Sequence, residues 1–294
     1  MPRVQTADGR ALTVREAGDP RGIPVLALAG TPGSTVFYEL HARDAEERGI
    51  RLVSYARPGY EGSTRDEGRT VADCAADIAA VCDALGIERF CVWGGSGGGP
   101  HVLAAAALLP ERVAAAAALC AVAPFDADGL DWYDGMGEQN VHDFDLAREG
   151  GAAHRANLEH EREELLAATP DQLVEVWHSL LGPADREAAT GELAASLLEH
   201  GRAGVEGGVD GWIDDELAFV AAWGFDLGAI RVPVLLWQGE QDRFVPRGHG
   251  AWLAERIPGV EARITAPDGH LTLIGRIPEV HGWLLDNARL NGDA

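Results

Sequence analysis

Short apolar runs alternate with stretches in which apolar residues recur every three or four positions. That is the pattern of strands joined by helices that cover both faces of one largely parallel sheet. The apolar runs fall at 25–29, 51–55, 90–93, 113–122, 234–237 and 260–266. Helical spacing predicts helices over 35–48, 71–85, 97–109, 248–256 and 278–287. Ahead of these, residues 3–6 and 11–16 flank Asp8-Gly9, a dipeptide that tolerates the positive φ of a tight hairpin turn. An antiparallel pair is therefore expected before the parallel strands.

The alternation stops at Pro124 and resumes near Leu227. Between them, Thr169-Pro170-Asp171-Gln172 reads as a capping box with proline at the first helical position. It opens a stripe of Leu173, Val176, Trp177, Leu180 and Leu181, and Ile213, Leu217 and Val220 form a second. The organisation expected is a helical insertion over 125–226 within an α/β core made of 1–124 and 227–294.

Charge sharpens this division. The 294-residue chain carries a formal charge of −23, and residues 125–226 hold 24 carboxylates against 5 arginines, so −19 of it sits on the insertion. Most of these acids are expected on solvated helix faces. A sharper reading is a negative field over an entrance, which favours cationic or amine-bearing ligands. Every basic residue is arginine, and no clustered basic face of the kind that binds nucleic acid is evident. An apolar content of 46% gives ample surface to bury and argues against disorder. No apolar run reaches the 18 or so residues of a membrane span, and residues 1–6 lack the apolar stretch of a signal peptide, so a cytoplasmic chain acting on a small molecule is expected. The four cysteines, Cys74, Cys82, Cys91 and Cys120, make no disulfide or metal pattern and read as reduced thiols; Cys91 and Cys120 lie in apolar runs, where a thiol acts as a small hydrophobe.

The strongest chemical signal is Gly94-Gly95-Ser96-Gly97-Gly98, set between a strand and an alanine-rich helix. A G-x-S-x-G in that setting is a nucleophile elbow. A strained turn lifts the Ser96 hydroxyl above the sheet, and Gly94 and Gly98 stand where a Cβ would clash. The following helix N-terminus favours a developing anion. Serine needs a base to take its proton. Of ten histidines, His142, His154, His160, His178 and His200 lie in the acidic insertion and are expected at the surface, whereas His270 follows the last strand in Pro267-Asp268-Gly269-His270, at the sheet edge where catalytic groups gather. Asp242, in the loop after strand 234–237, is the preferred partner carboxylate, with Glu240, Asp268 and Asp126 as rivals. The two oxyanion donors expected are the amides of Gly97, just after the nucleophile, and Thr31, in Gly30-Thr31-Pro32-Gly33. Trp132, Trp177, Trp212 and Trp223 are candidates for an apolar wall around the substrate.

With the order Ser96, Asp242, His270 and the stretch Tyr55-Ala56-Arg57-Pro58-Gly59-Tyr60-Glu61-Gly62-Ser63, the chain resembles the α/β-hydrolase family over nearly its whole length. Its capped organisation is similar to the esterase, haloperoxidase and prolyl-aminopeptidase branches. The resemblance implies an eight-stranded, mostly parallel sheet with a helical cap. It implies Ser96 as nucleophile, His270 as base, Asp242 as acid, and Thr31 with Gly97 as oxyanion hole, with no metal or organic cofactor. A carboxylic-ester hydrolase is the activity expected. The alternatives are an aminopeptidase whose cap acids hold a free amino terminus, and a cofactor-free haloperoxidase or C–C hydrolase. Two positions depart from the family pattern. Ala29 stands where a histidine is usual in the oxyanion loop, and Ala56 where an aspartate is usual.

Overall fold

The computed structural model describes residues 2–290. The hairpin forms as expected: β1 (Arg3–Gln5) pairs antiparallel with β2 (Ala11–Gly18), and Gly9 takes φ +88° in the turn between them. β3 (Ile23–Leu28), β4 (Ile50–Tyr55), β5 (Phe90–Gly95), β6 (Val113–Leu119), β7 (Val234–Gly239) and β8 (Glu261–Thr265) complete one sheet. Its order is β1-β2-β4-β3-β5-β6-β7-β8, and every pair beyond β2–β4 is parallel. β6 is buried along all seven residues, as a strand covered on both faces must be.

On the sheet lie α1 (Glu39–Glu47), α2 (Cys74–Ala84) and α3 (Gly98–Leu108). Between β6 and β7 come α4 (Glu138–Glu149), α5 (Ala152–Ala167), α6 (Leu173–Val176), α7 (Pro183–Ala188), α8 (Gly191–Val205) and α9 (Asp210–Val220). α10 (Arg247–Arg256) and α11 (Ile277–Leu290) close the fold. One core under α2, α3 and α10 includes Ile78, Val102 and Leu253, and the opposite face packs Ala45 of α1 with Val280 and Leu284 of α11. The helices between β6 and β7 have their own core, with Leu158, Leu173 and Leu198 packed beside Tyr60. Among the described residues, no helix is long and apolar enough to cross a membrane.

Three of the departures from the periodicity have a visible cause. α1 starts at Glu39 rather than residue 35, because the Glu61 carboxylate takes hydrogen bonds from the Ser34 hydroxyl and from the Thr35 amide and hydroxyl, holding that stretch as a loop. β6 stops at Leu119, where Cys120 turns to φ +40°. The Thr169 capping box is present, yet α6 ends after four residues, so Leu180 and Leu181 are buried by the next turn instead of a continuing helix.

Candidate active site

The turn from β5 to α3 places Ser96 at φ +53°, in the left-handed region that a side chain rarely adopts. Its amide bonds the Leu119 carbonyl of β6 at 2.9 Å and its carbonyl accepts from Gly99 at 2.9 Å. Only glycine fits on either side: a Cβ on Gly94 would lie 2.8 Å from the Leu28 oxygen, and one on Gly98 2.3 Å from the same atom.

The loop after β7 carries Asp242, buried, with Oδ2 2.8 Å from His270 Nδ1. Its Oδ1 accepts the Val245 amide at 2.8 Å, and Gln238 Nε2 donates to Oδ2 at 3.1 Å. A carboxylate only accepts, so Nδ1 carries the proton and Nε2 is the ring nitrogen left to face the cavity as an acceptor. Burial disfavours the imidazolium, but the Asp242 carboxylate, with the Cys120 sulfur, outweighs it and raises the His270 pKa well above 6.5. Phe244 stacks on the ring at 4.6 Å. The rival acids lie elsewhere: Asp126 and Glu240 are exposed, and Asp268 pairs with Arg276 at 3.3 Å.

Ser96, His270, Thr31 and Gly97 line one cavity of about 300 Å³. No hydrogen bond joins Ser96 to His270 among the described residues, and Nε2 instead stands 3.9 Å from Cys120 Sγ.

Two buried carboxylates from the inserted helices, which periodicity gives no means of finding, fix the surroundings. Asp185 of α7 accepts the amides of His270 (2.8 Å), Leu271 (2.8 Å) and Thr272 (3.2 Å), capping the short helical turn Leu271–Arg276. It fills the space beside Gly269, where a Cβ would come within 2.5 Å of it.

Asp215 of α9 has no exposed surface and receives the Thr31 hydroxyl at 2.8 Å, the Tyr60 hydroxyl at 2.8 Å, Arg57 at 2.5 Å and Arg69 at 2.6 Å. Burial opposes its charge, but Arg57 and Arg69 hold its pKa far below the carboxylate range. Arg57 also donates to the carbonyls of Ala29 and Gly30. The bond to Gly30 polarises the peptide whose N–H belongs to Thr31, strengthening that donor. Position 56 is a buried alanine in this chain, and a carboxylate reaches the neighbouring Arg57 from α9 instead. The Thr31 side chain meets Gly97 so closely that a Cβ there would lie 2.2 Å from Oγ1.

Asp215→Asn leaves two buried guanidinium groups without a counter-charge, so a loss of about 3–5 kcal/mol is expected. A urea titration reads this as a lowered midpoint with unchanged slope.

Trp177 and Trp212 line the cavity, and so does Trp93 of β5, which in sequence is one more apolar residue of a strand. Trp132 and Trp223 do not. Trp132 packs edge-on against Phe144 and His249 and donates to the Ala123 carbonyl, and Trp223 stacks on Phe225. The expectation that the acids of the insertion are solvated fails for Asp143, Asp185, Asp214, Asp215 and Glu216, all buried. His154, expected at the surface, is buried with Nε2 2.6 Å from Glu216, which also accepts from the Trp212 indole at 2.7 Å. Asp143, Glu161 and Glu216 reach the cavity wall, and burial together with Glu161 pushes the Asp143 carboxyl up to about 10.

Residues 23–276 match the alpha/beta hydrolase fold family. The chain belongs to that family. It is 28% identical over 255 residues to a non-heme chloroperoxidase of Streptomyces lividans, covering 85% of this chain and 86% of the other. It is 28% identical over 284 residues to a proline iminopeptidase of Neisseria meningitidis serogroup B, covering 89% and 87%. Among solved structures, a thermophilic esterase from Thermogutta terrifontis superposes with a TM-score of 0.70 at 19% identity, covering 98% of both chains. The enol-lactonase of Burkholderia xenovorans LB400 does so with 0.68 at 17%, covering 97% and 99%. The protein is a hydrolase of this fold.

Proposed function

We propose that this hydrolase cleaves a carboxylic ester or related acyl bond through Ser96, His270 and Asp242. His270 Nε2 takes the Ser96 proton as the oxygen attacks the carbonyl, and the amides of Thr31 and Gly97 hold the oxyanion. The imidazolium, held by Asp242, then protonates the leaving group. A water activated by the same ring releases the acid from Ser96. The helices between β6 and β7 act as the cap that shapes the acyl pocket, with Trp177 and Trp212 on its inner wall. The observation that carries the reading is Ser96 held at φ +53° on the cavity that also receives the Asp242-bound imidazole.

A second reading, an aminopeptidase, is favoured by Asp143, Glu161 and Glu216 on the cavity wall: burial and mutual repulsion disfavour the charge of Asp143 and Glu216, and a substrate ammonium entering among them would restore it. Against it, Gly30-Thr31-Pro32-Gly33 lacks the second glycine before proline usual in the prolyl branch. One experiment tests both. A fluorophosphonate probe should label the folded protein at Ser96, and an aryl acetate should turn over faster than an aminoacyl-arylamide bearing a free amine. A faster arylamide reverses the ranking of the two readings, and folded protein that resists the probe removes serine hydrolysis altogether.

A further inference from the structure

Cys120 neither attacks nor carries a proton in the acyl transfer proposed above. By its place in an apolar run Cys120 is expected to be a small hydrophobe in a strand, yet it follows β6 at φ +40°, and it borders the same cavity as Ser96. Its amide is pinned to the Trp237 carbonyl at 2.7 Å. Its Sγ lies 3.9 Å from His270 Nε2, and one ligand atom each from Cys120, His270 and Asp242 fall within 4.8 Å of one another.

Three features of this corner match a soft-metal site. A thiol and an imidazole nitrogen are the donors that zinc and its heavier congener prefer. His270 donates its other nitrogen to a carboxylate, the arrangement that fixes the tautomer and raises the basicity of a zinc-bound imidazole. The span is also right. With Zn–S near 2.3 Å and Zn–N near 2.0–2.1 Å, one ion bridges roughly 3.6 Å at the tetrahedral angle and roughly 4.4 Å when linear. The observed 3.9 Å lies between these limits.

We propose that the floor of the cavity binds a soft divalent cation, Zn²⁺ or Cd²⁺, between Cys120 Sγ and His270 Nε2, and that the bound ion switches hydrolysis off. Binding displaces the thiol proton to solvent and occupies the nitrogen lone pair that would otherwise accept the serine proton. No oxidation or reduction is involved. The inhibitory consequence rests on His270 being the base, whereas uptake of the ion does not.

Cadmium alone, titrated into the intact protein, reads binding through the ultraviolet thiolate-to-cadmium charge-transfer band. The wild type should develop this band at about one ion per chain, and Cys120→Ala and Cys120→Ser should both lack it. Cys74, Cys82 and Cys91 remain in both variants as internal controls. In parallel, Zn²⁺ should inhibit aryl acetate hydrolysis reversibly, with chelator restoring the rate. Each variant, normalised to its own uninhibited rate, should need at least about tenfold more Zn²⁺. Absence of the band in folded wild type overturns the proposal, as does equal zinc sensitivity of wild type and a folded variant. A band that depends on Cys120 in a protein without esterase activity upholds the metal site and overturns the proposed function instead.

Discussion

Ser96→Ala is expected to lower turnover of an aryl ester by roughly 10⁴–10⁶ while leaving the fold intact. The size follows from the role. Without the hydroxyl no acyl-enzyme can form, and what survives is the contribution of the oxyanion donors and of binding. The fold should tolerate the change because the elbow is held through the backbone: the Ser96 amide and carbonyl keep their partners, Leu119 and Gly99. Alanine also adds nothing beyond the Cβ already accommodated at φ +53°. Steady-state rates on a purified variant, together with an unchanged denaturation midpoint, check both halves. A variant that keeps wild-type turnover shows that another group is the nucleophile.

Asp242→Asn should cost on the order of 10⁴ in turnover. The mechanism is a tautomer error. The amide oxygen of an asparagine can still accept the Val245 N–H, which leaves its NH₂ facing His270 Nδ1. An amide N–H donor there stabilises the ring with its proton on Nε2, the form that cannot take the serine proton. The pH dependence follows the same bond. The base works when neutral, and Asp242 raises the His270 pKa above 6.5, so wild-type kcat/KM should climb with pH through an ionisation above that value. In Asp242→Asn the carboxylate is lost and the burial that disfavours the imidazolium remains, so the residual limb should move to lower pH. The control is Asp126→Asn, which should stay near wild type because Asp126 is exposed. The opposite pattern in the two variants removes Asp242 from the role of acid.

How much of this was legible in the sequence depends on the range of the interactions involved. The sheet was readable because burial on both faces leaves uninterrupted apolar runs, as in β6. The elbow was readable because its steric demands fall on residues close in sequence, Gly94, Gly97 and Gly98. Pairing His270 with Asp242 needed only the observation that each follows a strand at the same sheet edge. Asp215 and Asp185 left no such trace. In a segment dense with acids, a carboxylate that will meet Arg57 across 158 positions looks like one that will face water. The same blindness misplaced His154, whose partner Glu216 is 62 residues away. The late start of α1 was hidden too, since it depends on Glu61 reaching back to Thr35.

Asp185 and Asp215 both arrive from the segment between β6 and β7, one grasping the turn that begins at His270 and the other the loop that holds Thr31. That segment is therefore no interchangeable module. Transplanted helices without carboxylates at these two places would strip both grips at once, and the loops bearing Thr31 and His270 would slacken before any new selectivity could be read. Retuning this protein has to proceed residue by residue along the inner wall, beginning with positions such as Trp177 that touch the cavity and take no part in either grip.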